Sequence, residues 1–265
     1  MTSTYEQLCI QTCGIARAAG AFIAAQAKEF NSSMIENKGL HDLVSYVDRE
    51  AEKMIIEGLS VLLPEAGFIA EEGTSAKRGD VYNWIIDPLD GTTNFMQGIP
   101  VYAVSIALMH KDETVLGVVY EIGQQDCFYA WKEGGAYLNG IKISVSDKAD
   151  MHQALLATGF PYSNFDRLDA YMEFLKWALE NARGVRRLGS AATDLAYVAC
   201  GRFDAFREYD LKPWDVAAGA LLVIEAGGEV VDFKGYADYI FGRTIVASNS
   251  LLKKGIVSKI NELIV

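Results

Sequence analysis

The stretch Trp84-Ile85-Ile86-Asp87-Pro88-Leu89-Asp90-Gly91-Thr92-Thr93-Asn94-Phe95 limits what this chain can fold into more than any other. The apolar run from Trp84 to Ile86 predicts a buried strand. Asp87-Pro88 ends that run, because proline cannot donate to a strand ladder and restricts the residue before it. Asp90-Gly91 predicts a turn. Thr92 and Thr93 then open a short helix, with Asp90 placed to cap it. Two carboxylates three residues apart therefore sit at a strand end, beside free N–H groups at a helix start. Carboxylates collect hard cations, and a helix N-terminus collects an anion. One turn suited to both suggests phosphoryl chemistry. Asp90-Gly91 alone would be an ordinary turn, since turns favour these residues; the longer run Asp87 to Asn94 carries the signal.

The rest of the chain bounds that reading. With 265 residues, 51% of them apolar, it is one large domain or two intimate halves. It shows no linker, low-complexity tract or internal repeat. A net charge of −11 argues against non-specific binding to nucleic acid or anionic membrane, so neither is expected as a partner. No apolar run reads as long enough to span a bilayer, and no basic segment precedes an apolar core at the N-terminus, so a cytoplasmic protein is expected. Cys9, Cys13, Cys127 and Cys200 are scattered, as reduced thiols in or near a core would be. His41, His110 and His152 are isolated. Any metal is therefore a hard one held by oxygen.

In chain order, Tyr5, Leu8, Thr12, Ile15, Ala19, Phe22 and Ile23 predict an amphipathic first helix. Asn31 to Gly39, with Lys38, reads as a polar loop. Ser45 and Asp48 fall near the start of a second helix, where Asp48 could simply favour the dipole. Gly67 to Ala70 is a short strand running into Glu71-Glu72-Gly73. Val101 to Met109, Thr114 to Tyr120 and Cys127 to Trp131 predict antiparallel strands, separated by short turns. Around residue 150 the pattern changes. Leu155 to Thr158, Val185 to Leu188, Phe203 to Glu208, Glu229 to Phe233 and Thr244 to Ala247 read as strands. Leu168 to Ala182, the Ala-rich run to Cys200, Pro213 to Ala226 and the C-terminus read as helices. An α+β half, 1–150, and an α/β half, 151–265, are expected to form one compact unit.

Three further segments accompany the first: Ala70-Glu71-Glu72-Gly73, Gly189-Ser190-Ala191-Ala192, and Trp214-Asp215-Val216-Ala217-Ala218-Gly219 running to Glu225-Ala226-Gly227-Gly228. Each is weak alone. In this order, over essentially the whole chain, the four resemble the inositol monophosphatase family. Leu156 to Pro161 and Asp194 to Ala199 are most similar to bacterial members. The segment from Lys38 to Asp42 is one residue shorter than in animal members, and Ser190 stands where Thr is common.

The resemblance implies a layered αβαβα sandwich of the sugar phosphatase type and a Mg²⁺-dependent hydrolysis of myo-inositol monophosphates. It implies one Mg²⁺ on Glu71, Asp87 and the Leu89 carbonyl, a second on Asp87, Asp90 and Asp215, and a third, weaker ion shared by Glu71. Two bridged ions fit a mechanism in which one activates water and the other stabilises the leaving alkoxide. The Gly91 and Thr92 N–H groups would hold phosphate oxygens. The Thr92 hydroxyl, paired with Asp48, would orient the attacking water, with Glu71 also counted among the catalytic residues. Asp90, Glu208, Asp215 and the backbone of Gly189, Ser190 and Ala191 would face the substrate, a small phosphate monoester. A lithium-sensitive homodimer is implied too. Alternatives on the same fold are phosphatases of 3′-phosphoadenosine 5′-phosphate, fructose 1,6-bisphosphate or NADP; a regulatory protein without turnover belongs to another class. Thr93 stands where adenosine-bisphosphate phosphatases carry lysine, so no cation for a second phosphate is expected. Arg186-Arg187 could bind a partner or a substrate phosphate but reads rather as a surface pair on a strand end, and Tyr162, Phe165, Tyr171 and Phe174 read as core or subunit contacts rather than a base-stacking platform.

Overall fold

The computed structural model describes residues 2–28, 35–37 and 43–263. Lys38 and His41 lie outside the described residues. The first half begins with α1 (Thr2–Ala27), β1 (Ile35–Asn37), β2 (Leu43–Ser45) and α2 (Tyr46–Leu62). It continues with β3 (Gly67–Ala70), β4 (Tyr82–Asp90), α3 (Thr92–Gln97), β5 (Ala103–His110), β6 (Glu113–Glu121), β7 (Asp126–Trp131), β8 (Gly135–Leu138) and β9 (Ile141–Ile143). Strands β3 to β9 form one seven-stranded sheet in sequence order. It is antiparallel except for the β3–β4 pair, which is parallel.

The second half contains β10 (Leu155–Thr158), α4 (Leu168–Asn181), β11 (Gly184–Arg186), α5 (Ala191–Ala199), β12 (Ala205–Tyr209), α6 (Pro213–Glu225), β13 (Glu229–Val231), β14 (Thr244–Ser248) and α7 (Ser250–Leu263). Its five strands are ordered β11-β10-β12-β14-β13. Those following helical crossovers pair in parallel, and β14 pairs antiparallel on both sides, as right-sized βαβ connections dictate.

Three apolar clusters stack these parts into five layers. On the outer face of the larger sheet, Cys9, Cys13, Ala16, Ala19 and Ile23 of α1 meet Val47, Ala51, Ile55 and Leu59 of α2 and Trp84, Ile86, Val104 and Ile106. Helices α5 and α6 fill the middle layer: Leu195, Ala196, Ala217, Ala218 and Leu222 share one apolar cluster with Ile85 and Ala107 of the larger sheet and Phe206 and Ala247 of the smaller one. Helices α4 and α7 cover the far face of the smaller sheet through Tyr171, Phe174, Ile256 and Ile260. The layers are close because small residues meet. A Cβ at Gly117 of β6 would stand 2.8 Å from the Ala218 carbonyl oxygen of α6. The architecture is the expected αβαβα sandwich.

Several local expectations are corrected. Pro88 does not end β4; the strand runs on to Asp90. Asp87 pairs opposite Ser105 and Asp90 opposite Ala103, so three steps on β4 oppose two on β5. The bulge leaves Pro88 where no ladder N–H is required. The expected loop at 31–39 contains β1, which pairs with β2. Strands β8 and β9 are additions; they are short and flanked by Gly135 and Gly140, which hid them among turn signals. Helix α1 is long and apolar enough by composition to cross a membrane, contrary to the sequence expectation. Its buried face is instead an integral part of the outer core. The cysteines carry no disulfide, and Cys9, Cys13 and Cys127 are buried. His110 stacks on Tyr82, with ring centroids 4.8 Å apart, and is committed to packing.

Candidate active site

A cavity of about 600 Å³ opens where the two halves meet. Glu71, Asp87, Leu89, Asp90, Gly91 and Thr92 line it from the first half, and Gly189, Ser190, Ala191, Glu208 and Asp215 from the second. Eleven of the twelve site residues expected from sequence thus share one wall system. Asp48, the twelfth, lies behind Thr92, whose hydroxyl is 3.3 Å from Asp48 Oδ1 and 3.0 Å from the Leu89 carbonyl oxygen.

Each acidic group is aimed by local structure. The β4 bulge turns Asp87 inward, and its Oδ1 accepts from the Leu89 N–H at 2.9 Å. Glu71 follows β3, and its N–H is bound by the Ile86 carbonyl at 3.2 Å. The loop beyond it is held by the buried Glu52, which accepts from the Glu72 and Thr74 N–H groups, each at 2.8 Å. Asp215 is set by the start of α6. Pro213 occupies the first turn, and the Asp215 Oδ2 accepts from the Lys212 N–H at 2.7 Å. Ser105 Oγ donates to the Trp214 carbonyl at 3.1 Å, tying that turn to β5.

Asp90 does something the sequence did not suggest. It does not cap α3, whose N-cap is Gly91 with no side-chain bond. Asp90 Oδ2 instead accepts from the Ser190 hydroxyl at 2.7 Å and the Ala192 N–H at 2.6 Å, so it serves the start of α5 in the other half. Gly91 has φ 98°, and a Cβ there would lie 3.0 Å from the Val101 carbonyl and 3.3 Å from that of Gly189. Only glycine makes this close crossing without strain. Asn94 finishes the junction: its Nδ2 donates to the carbonyls of Val101 at 2.7 Å and Leu188 at 2.8 Å. No role for Asn94 is legible in the sequence, because one of its two partners, Leu188, lies in the other half.

Crowding shifts these acids upward. Burial raises Asp87 well above the carboxylate range, and Glu71, Asp90 and Asp215 add to it. Burial raises Glu71 likewise, followed by Asp215, Glu72 and Asp48, while a hydrogen bond with Asp87 opposes the rise. Burial pushes Asp90 to about 6, against the Ser190 and α5 hydrogen bonds that lower it. Asp215 reaches about 7, through burial and then Asp90. Burial also raises Glu208, with Asp194 and Asp215 reinforcing it. Among the described residues no three of His, Cys, Asp and Glu are gathered closely enough to cage a metal as they stand. The all-oxygen donor set and the mutual repulsion nonetheless fit a hard cation, which would replace the shared protons and present hydrogen-bond partners.

The second half adds residues that were not expected at the site. Asp194, on the first turn of α5, lines the cavity, and so do Phe160, Tyr162 and Phe165. Tyr171 and Phe174 are core, but Tyr162 and Phe165 are exposed at the cavity. Arg187 is not a plain surface residue: it lines the cavity, lies over Phe160 at 5.7 Å and donates to the Tyr162 hydroxyl at 3.2 Å. A cation therefore does line the cavity, contrary to the sequence expectation. A chain neighbour of Arg186 on a strand end gives no sign of this direction.

A family model described as the inositol monophosphatase family matches residues 4–264. A protein of Neisseria meningitidis serogroup B called a putative Nus factor SuhB is 43% identical over 235 residues, covering 88% of this chain and 90% of its own. An inositol-1-monophosphatase of Rhizobium meliloti is 40% identical over 239 residues, covering 90% of each chain. The crystal structure of the extragenic suppressor protein suhB from Bartonella henselae superposes with a TM-score of 0.91 at 37% identity, over 97% of this chain and 99% of that one.

Proposed function

The chain belongs to the inositol monophosphatase family, and from that premise we propose that it is a Mg²⁺-dependent phosphatase of small phosphate monoesters, with myo-inositol monophosphates as its substrates. One observation carries the reading: Glu71, Asp87, Asp90 and Asp215 line the same cavity as the glycine-led start of α3. Acid groups for a cation and amides for an anion are what a phosphate ester with its counter-ion needs.

Glu71, Asp87, Asp90, Asp215 and the Leu89 carbonyl are the groups that would hold two or three Mg²⁺ ions. Bound there, Mg²⁺ supplies charge neutralisation at the phosphoryl group and acidifies water. The chain's own residues do the rest. The Gly91 and Thr92 amides orient the phosphate at the start of α3. Thr92 and Asp48 hold the attacking water and take its proton. Asp90, Glu208 and the Gly189–Ala191 backbone accept from, or donate to, the hydroxyls of the leaving group. Gly159 makes room for Glu208, since a Cβ there would collide with its carboxyl group. The halves 1–150 and 151–265 act as one unit around this cavity, and a cytoplasmic homodimer with lithium sensitivity belongs to the same proposal.

Phosphate release from a panel of phosphate monoesters with Mg²⁺ tests the reading. Release from myo-inositol 1-phosphate, abolished by a chelator, is the expected result; release from none of the esters would falsify it. A second reading is favoured by names alone: relatives from Neisseria meningitidis and Pseudomonas aeruginosa, at 43% and 42% identity, are called Nus factors or putative ones. That role would be compatible with turnover or independent of it. Complementation of a Pseudomonas aeruginosa strain lacking its SuhB, by wild type and by Asp87→Asn, separates the cases. Rescue by both supports a role without catalysis, and rescue by neither removes the second reading.

A further inference from the structure

Asp194 is 1% exposed, and its Oδ1 has no hydrogen-bond partner. Among the described residues no side-chain hydrogen bond or ion pair satisfies it, although its backbone N–H is bound by the Ser190 carbonyl as part of α5. It nevertheless lines the cavity. A buried polar atom left unpaired costs on the order of 1–3 kcal/mol. Native structures carry few of them, and each calls for an explanation. A structural carboxylate at a helix start would accept from a free amide of the first turn. That place on α5 is already taken, because Ser190 Oγ accepts from the Thr193 N–H and Asp90 from the Ala192 N–H.

Arg187, just beyond the end of β11, lines the same cavity. It feels the charges of Tyr162, Glu208 and Asp194, yet forms no ion pair within 4 Å among the described residues. Its one side-chain hydrogen bond to another side chain goes to the Tyr162 hydroxyl at 3.2 Å. A guanidinium has five N–H donors, so most of them are free to face the cavity. An acceptor without a donor and a donor without an acceptor thus line the same cavity, too far apart to satisfy each other. A hydroxyl group does both jobs at once: it donates to a carboxyl oxygen and accepts from a guanidinium N–H.

We propose that Asp194 and Arg187 form a specificity-determining pair that binds one hydroxyl of the leaving group, which selects phosphate esters of polyols over esters of unsubstituted alcohols or phenols. The pair sits on the second-half side of the cavity with Glu208, away from the Glu71–Asp87 wall. It rests on the phosphatase reading above and adds to it a contact that the sequence did not indicate. The pair explains why burial of Asp194 is tolerated, since substrate supplies the missing partner.

The test compares kcat/KM for myo-inositol 1-phosphate and for phenyl phosphate, in wild type, Asp194→Leu, Asp194→Asn, Arg187→Met and the Asp194→Leu/Arg187→Met double variant. Removing one hydroxyl partner from a site built to bind it lowers the polyol-to-phenyl ratio by about tenfold or more. That loss is expected in both Leu and Met variants, mainly through KM for the polyol ester. Asparagine keeps an acceptor and holds most of the ratio. The double variant loses little more than either single one, because both touch the same hydroxyl. Asp194→Leu also melts no lower than wild type, since it removes an unpaired buried polar group. A lowered melting temperature with an unchanged ratio would assign Asp194 to the fold and overturn the proposal, as would an unchanged ratio in Arg187→Met should the leucine variant not fold. Wild-type protein that hydrolysed neither ester would remove the phosphatase reading and this inference with it; activity with an unchanged ratio removes the inference alone.

Discussion

The two sides of the cavity are built from the same residue types and behave differently. On the first-half side, burial raises Asp87 and Glu71; the charge of Glu71 adds to the rise of Asp87, and the charge of Asp215 adds to both. On the second-half side, Glu208 and Asp194 are buried beside a guanidinium that pairs with neither. The first side concentrates carboxyl groups at a strand bulge, where protons hold down the charge and a cation would relieve it. The second side spreads donors and acceptors over β12, α5 and the end of β11, where neutral hydroxyls can satisfy them. The same side chain, a buried carboxyl group, therefore suits a metal on one side and a polyol on the other. What decides is the neighbour: another carboxylate in one case, an arginine and a helix start in the other.

The largest effect should come from breaking the charged side. Asp87→Asn or Asp215→Asn should lower kcat by about a thousandfold, on the order of 4 kcal/mol in the barrier. Their folds should survive, because helix-end electrostatics at Asp215 are worth only about 0.3–1 kcal/mol. Steady-state rates with circular dichroism as a control check this; turnover close to wild type in Asp215→Asn would take that residue out of the site.

A smaller effect belongs to the water-positioning pair. Thr92→Val and Asp48→Asn should each lower kcat by about a hundredfold, within the range of positioned proton transfer. The double variant should lose little more, as residues acting as a unit do. Losses that multiply would show that the 3.3 Å contact between them has no part in the reaction.

The smallest effect is in stability against pH. Asp90, at about 6, and Asp215, at about 7, are raised above the usual aspartate value, chiefly by burial. The folded metal-free protein thus keeps protons that the unfolded chain releases. Stability from these groups is complete below pH about 4 and is lost as pH rises through about 7. Melting curves of chelated protein should fall across that window. The slope should flatten in Asp215→Asn, whereas Asp194→Asn, on the other side, should leave the part due to Asp90 and Asp215 in place.

The charged side was legible in the sequence because most of it is local. Asp87, Leu89, Asp90, Gly91 and Thr92 fall within six residues, and a bulge plus a helix start turns that spacing into geometry. Asp215 was legible only through the resemblance of its segment, Trp214 to Gly219, to the family; its place at a helix start alone suggests no more than dipole compensation. The hydroxyl side was mostly hidden. Glu208 was expected there, but the directions of Arg187 and Asp194 depend on how α5 is seated between the two sheets, and on Asp90 and Asn94 reaching across from the first half. No local pattern encodes such contacts. The strand through Pro88 was missed for a related reason: the bulge that accommodates it is defined by the register against Ser105 and Ala103. The five-layer order followed from the change of pattern near residue 150, since consecutive strands make an antiparallel sheet and alternating elements make a mixed one.

The central claim is that the charged side is made for a cation. It is tested most directly by the melting temperature of the full chain in chelator and in rising Mg²⁺, for wild type and Asp87→Asn. At about one hundred times its dissociation constant, an ion that binds only the folded state adds about 2.7 kcal/mol. Wild type should therefore melt several degrees higher in Mg²⁺, while Asp87→Asn, already relieved of one charge, should start higher in chelator and respond weakly. A wild-type melting temperature indifferent to Mg²⁺ and chelator would contradict the account.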